Sequence, residues 1–163
     1  MMKKLLLLTL CLMFVLCGCG QSQTANNQSS PAPVGGDFKF WLSENVPCKA
    51  GETCTVEIRL SPNSQVAASD LIIEFDAQQL SFEGFKAGGA FTSESALQGE
   101  GKIKVTSITL NPPKDEALIG TLTFKANQGA SGETKLKLTS ETCANIDLVD
   151  MTPVCFSGSV VIK

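Results

Sequence analysis

TCTVEIRL, residues 53–60, puts an apolar side chain at every second position. Cys54, Val56, Ile58 and Leu60 fall on one side, and Thr55, Glu57 and Arg59 on the other. Side chains alternate across a strand, so this period of two predicts a half-buried strand. The same period extends outward in both directions. It recurs in FKFWL (38–42), DLIIEFD (70–76), LSFEGF (80–85), KIKVT (102–106), LIGTLTFK (118–125), TKLKLT (134–139) and VCFSGSVVI (154–162). Turn-forming stretches separate them: SPNSQ, KAGGAF, LQGEG, NPPKDE and NQGASGE. Many short strands at this spacing, with no helical run between them, predict an all-β antiparallel sandwich whose two sheets cover each other's apolar faces.

Two strands break the pattern on their wet side. DLIIEFD turns Asp70, Ile72 and Glu74 outward, and LIGTLTFK turns Ile119, Thr121 and Thr123 outward. If these strands are neighbours, Ile72 and Ile119 make an exposed apolar patch edged by acids and hydroxyls, a mark of an interaction surface. The bland alternative is that a loop buries them, or that β-branched residues are tolerated there. After Val105 the parity slips and Ile108 and Leu110 take over, which predicts a bulge or short break.

The first residues have a different character. Met1–Lys4 is short and basic, and Leu5–Cys17 is apolar apart from Thr9. Thirteen residues are too few to cross a bilayer, which takes ~20. The pattern is that of an export signal over residues 1–18. Leu16-Cys17-Gly18-Cys19 resembles the bacterial lipoprotein box, which implies that Cys19 becomes the lipidated first residue of the mature chain. A plain secretory signal with a chance cysteine is the alternative. Acyl chains anchor at ~0.8 kcal/mol per buried CH₂, so the expected product is exported and lipid-anchored to the cell envelope, at an outer membrane or cell surface. Residues 20–36, GQSQTANNQSSPAPVGG, are polar and uncharged and read as a tether reaching roughly 20–25 Å. The folded domain is expected over 37–163.

Composition excludes several chemistries. The chain has no histidine, so Ser-His-Asp and Cys-His pairs and most catalytic zinc sites are excluded. A net charge of −3 argues against a nucleic-acid partner. Of the acids, Asp115 and Glu116 sit in a solvated turn. Asp147 and Asp150 share a loop without EF-hand spacing, so no metal or cofactor is assigned. Cys48, Cys54, Cys143 and Cys155 follow the signal; an even count in an exported chain predicts two disulfides. Three pairings are open, and the local ones, Cys48–Cys54 and Cys143–Cys155, are favoured over a four-cysteine zinc site.

VPCKAGETCTVEIRL, VAASDLIIEFDAQQLSFEGFKAG, EALIGTLTFKANQGASGETKLKL and ANIDLVDMTPVCFSGSVVI follow one another in the order and spacing of a cohesin domain. The similarity covers residues 38–163. The resemblance implies a nine-stranded jelly roll, related to carbohydrate-binding modules. One flat face, built from the family's third, fifth, sixth and eighth strands, grips a dockerin, a small calcium-loaded helical module. Asp70 stands where the family has a polar contact, and Ala68 stands where it has a second one. Asp70, Ile72, Glu74, Ile119 and Thr121 are therefore the candidate partner-binding residues.

The reading that follows is a non-catalytic, membrane-anchored binding module outside the cytoplasm, docking a dockerin-like protein. Carbohydrate or polysaccharide binding is the alternative. It needs exposed aromatics, and only Trp41 and an outward Phe85 or Phe91 offer themselves. A structural lipoprotein of an envelope assembly is a further alternative.

Overall fold

The computed structural model describes residues 38–163. The signal over 1–18, Cys19 and the tether over 19–36 lie outside the described residues, as does the expected domain start at Asp37. Among the described residues there is no helix. The strands are β1 (Lys39–Leu42), β2 (Val46–Cys48), β3 (Thr53–Leu60), β4 (Val66–Glu74), β5 (Leu80–Ala87) and β6 (Thr92–Leu97). They continue with β7 (Lys102–Ile108), β8 (Ala117–Ala126), β9 (Gly132–Asn145), β10 (Val154–Phe156) and β11 (Gly158–Ile162). They form a five-stranded sheet, β10-β1-β3-β8-β5, and a six-stranded sheet, β2-β11-β9-β4-β7-β6.

The sandwich is as expected, but there are eleven strands rather than nine. Two short strands of three residues, β2 and β10, exist because the chain changes sheets beside them. Their pairings, β1 with β10 and β2 with β11, are parallel; every other strand pairing is antiparallel. The two sheet changes meet at Gly158, where a Cβ would collide with the Ser43 carbonyl and Leu42.

The core follows the alternation on β3: Cys54, Val56, Ile58 and Leu60 are all buried. Leu71 and Ile73 of β4, Ile103 and Val105 of β7, and Leu136 and Leu138 of β9 meet them from the opposite sheet. Phe124 anchors the middle, with Phe75 and Phe82 edge-on to it at 5.2 and 5.9 Å.

Three readings need correction. On β8 the ladder to β3 pairs Ile58 with Gly120 and Arg59 with Leu118, so Ile119 is the extra residue of a bulge. Parity flips there: Ile119 enters the core at 0% exposure and Leu118 turns partly outward. Gly120 permits this, because the Phe85 ring lies where its Cβ would be. On β7 there is no break. Ser107 takes the inward place, bonded to Ser93 (2.9 Å), and Ile108 is exposed. Finally, VCFSGSVVI is two strands; Val154 and Phe156 face outward on β10, while Val160 and Ile162 are buried on β11.

Candidate functional site

The outer face of the six-stranded sheet carries β9, β4, β7 and β6 side by side. Asp70 and Ile72 sit near its centre. Asp70 lies opposite Thr106 on β7 and Thr142 on β9, and Ile72 lies opposite Lys104 and Thr139. The Lys104 ammonium reaches Asp70 Oδ2 at 2.9 Å and Glu141 Oε2 at 3.1 Å, and the Thr106 hydroxyl donates to Asp70 Oδ1 at 2.7 Å. Partial burial alone would raise the Asp70 carboxyl. The Lys104 ammonium and the hydroxyls of Thr106 and Thr142 outweigh it and hold the carboxyl below its usual range. Asp70 is thus a fixed, ionised acceptor on an open sheet.

Ile72 points to this same outer side, since Leu71 and Ile73 face the core. It is nonetheless only 3% exposed, in the middle of a wide sheet between Lys104 and Thr139. Lysine stems cover apolar neighbours while their charges stay in water. Glu74, one step further along, is exposed and paired with Lys137 at 2.9 Å. Three of the expected residues are therefore together: Asp70, Ile72 and Glu74. The other two are not. Ile119 and Thr121 belong to the opposite sheet. Ile119 is inside it, and Thr121 is on its far outer side opposite Glu57 and Lys86. The apolar patch proposed from Ile72 and Ile119 does not exist.

A different apolar patch does. At the end of the face where β7 and β9 finish and β4 begins, Ile108 pairs with Ala68, which pairs with Ala144. Beyond these the chain exposes Leu110, Ile146 and Leu148, and Ile108 itself is 55% exposed. The loop after β9 is held rather than loose. The Asn145 carboxamide accepts from the Asp147 and Val149 amides, at 3.0 and 2.9 Å, and Ala144 bridges to Asp150. Ala68, small and apolar, lets this aliphatic end run up to Asp70. The sequence signal for it was Ile108 following Ser107, read as a slip because a serine occupied an inward position.

The cysteines stand as two neighbouring pairs. Cys54 is within hydrogen-bond reach of Cys48, and Cys143 and Cys155 line one hollow. These neighbours are the two local pairings expected from the sequence; their sulfurs are not joined in this structure. Burial pushes the Cys54 and Cys143 thiols up to about 12, helped by the neighbouring Cys48 and Cys155 respectively.

An aliphatic end beside a fixed carboxylate and a lattice of lysines and glutamates suits a protein surface. It offers no cleft with a nucleophile. The family model for the cohesin domain matches residues 42–162. No curated protein matches the chain. Among solved structures, the chain resembles the cohesin of the Coh-OlpA–Doc918 complex from Clostridium thermocellum, with 20% identity and a TM-score of 0.69. That match covers 78% of this chain and 100% of the other. It resembles the seventh ScaB type I cohesin of Pseudobacteroides cellulosolvens at 15% identity and a TM-score of 0.70, covering 78% and 92%. A non-cellulosomal cohesin from the archaeon Archaeoglobus fulgidus is similar at 15% identity and 0.69, also covering 78% and 92%.

Proposed function

The chain belongs to the cohesin domain family, and from that premise we propose that it docks a dockerin-type protein on the outer face of its six-stranded sheet. The observation that carries this is the meeting of Ile108 and Ala68 with Asp70 on one open face. An apolar centre gives the binding energy once water is excluded, and a fixed carboxylate sets orientation. The partner class is supported by relatives whose structures are complexes, Coh-OlpA with Doc918 and an Acetivibrio cellulolyticus cohesin with a Cel5 dockerin.

The reading includes a lipid on Cys19 and a tether over 20–36, which keep the module at the envelope outside the cytoplasm. It is non-catalytic: affinity and position are its output. Calorimetry of the chain against a purified dockerin module tests it. Ile108→Lys should weaken binding by at least ~10-fold, the size of one lost apolar anchor, without changing Tm. Equal binding by wild type and variant would remove the face from the docking role. Membrane fractionation with Cys19→Ala tests the anchor separately; a variant that stays with the membrane would refute it.

A further inference from the structure

We propose that the opposite side of the sandwich, where β10 borders β1, is a second binding site, taking a neutral glycan whose pyranose rings stack on Trp41 and Phe156. Its β9 residues, Glu133 and Lys135, lie at the start of that strand, the opposite end from Ala144 and the Ile108–Ala68 patch. Trp41 and Phe156 are directly paired across the parallel β1–β10 ladder, so both rings leave the same side of neighbouring strands, about 4.8 Å apart in the backbone. Phe156 is 48% exposed, on the edge strand of its sheet. Arg59 pairs with Trp41 on the other side, which continues the row across the sheet.

The rings already hold positive charge against their faces. Lys39 places its ammonium 5.5 Å from the Trp41 ring centre and 5.7 Å from that of Phe156. An aromatic face carries partial negative charge and attracts whatever is polarised positive. The C–H face of a pyranose is such a group, and it is flat on the scale of the ring.

Phe156 forms a ridge between two hollows. One, of about 390 Å³, is lined by Lys39, Trp41, Ser43 and Glu44. The other, of about 400 Å³, is lined by Glu44, Asn45, Glu133, Lys135 and Ser157. Glu44 and Phe156 border both, so the two hollows adjoin across the Phe156 ridge. Their charges balance: Lys39 and Lys135 against Glu44 and Glu133. A balanced site does not draw a polyanion. Carboxylate, amide and hydroxyl groups along it are the partners that sugar hydroxyls need, and an apolar ligand would leave them unpaired.

Gel electrophoresis of the full chain through soluble hydroxyethyl cellulose, xyloglucan or galactomannan tests the proposal, with polygalacturonate as the anionic control. At least one neutral polymer should retard the chain. Phe156→Ser, and separately Trp41→Ala, should weaken that retardation at least fivefold, while Ile108→Lys leaves it unchanged. Phe156→Ser alters an exposed edge position, and circular dichroism checks that each variant is folded. Migration unaffected by all three neutral polymers would overturn the site. So would retardation by polygalacturonate alone, or retardation that survives Phe156→Ser.

Discussion

The two sheets present different surfaces to solvent, although both are built from strands of the same alternating pattern. The six-stranded sheet is wide, and its centre is crossed by ion pairs that are partly shielded. Asp70 and Lys104 side chains are 23% and 29% exposed. The five-stranded sheet carries its ion pairs in the open, with Arg59 holding Glu57 at 2.8 Å and Glu116 at 2.6 Å. Its most exposed apolar side chains, Val154 and Phe156, lie at the edge on β10, with Trp41 beside them. The difference shows that a side chain's neighbours across the strands, more than its residue type, decide what it does. Lys104 lies beside Ile72 and fixes Asp70, whereas Arg59 has no buried outward isoleucine beside it and holds two acids that are 41% and 47% exposed.

The two isoleucines offer the strongest way to break this contrast. Ile119 is fully inside, so Ile119→Ala should cost about 2–5 kcal/mol in urea unfolding. Ile72 is covered only by side chains that can close over a gap. Ile72→Ala should cost about 1–2 kcal/mol, below that range because flexible side chains close over the gap. Equal losses would mean that the outer face of β4 is as tightly packed as the core, and the distinction between the sheets would fall.

These two residues also show what could be read in advance. The alternation of β1, of β3, of residues 102–105 in β7 and of 134–138 in β9 is legible because nothing interrupts its period there, and Asp70 and Glu74 face outward as the alternation of β4 predicts. Ile119 was misplaced because a single unpaired residue reverses every side chain beyond it. The one local sign was Gly120, a glycine inside a strand. Ile108 was hidden by the opposite device, a serine in the core: Ser107 is 1% exposed and satisfied by Ser93, so the apolar run looked out of step. VCFSGSVVI reads as one strand because its period runs unbroken through the Ser157-Gly158 passage where the chain changes sheets. In each case the missing information was a long-range pairing, which local periodicity does not carry.

The ion pairs sharpen the contrast next. Asp70→Asn should cost about 1 kcal/mol at neutral pH, the upper range for a partly shielded pair. The folded-state pKa of Asp70 is depressed, so its contribution is present above the unfolded value of about 3.9 and is lost as pH falls through the lower folded value. The stability curves of wild type and Asp70→Asn should therefore separate above about pH 4 and converge in acid. Parallel curves would show that Lys104 and Thr106 do nothing for the fold.

The smallest effects belong to the exposed side. Glu116→Gln removes one acceptor from Arg59, but Glu57 keeps the guanidinium in place and both groups are well hydrated. The change should lie within about 0.5 kcal/mol, near the floor for surface pairs. Phe156→Ser should be equally mild, since an edge aromatic half in water gains little from folding. Thermal unfolding of both variants beside Asp70→Asn decides the matter. A Phe156→Ser loss approaching that of Ile72→Ala would make the aromatic edge part of the fold's own packing, leaving no free ring surface for a ligand.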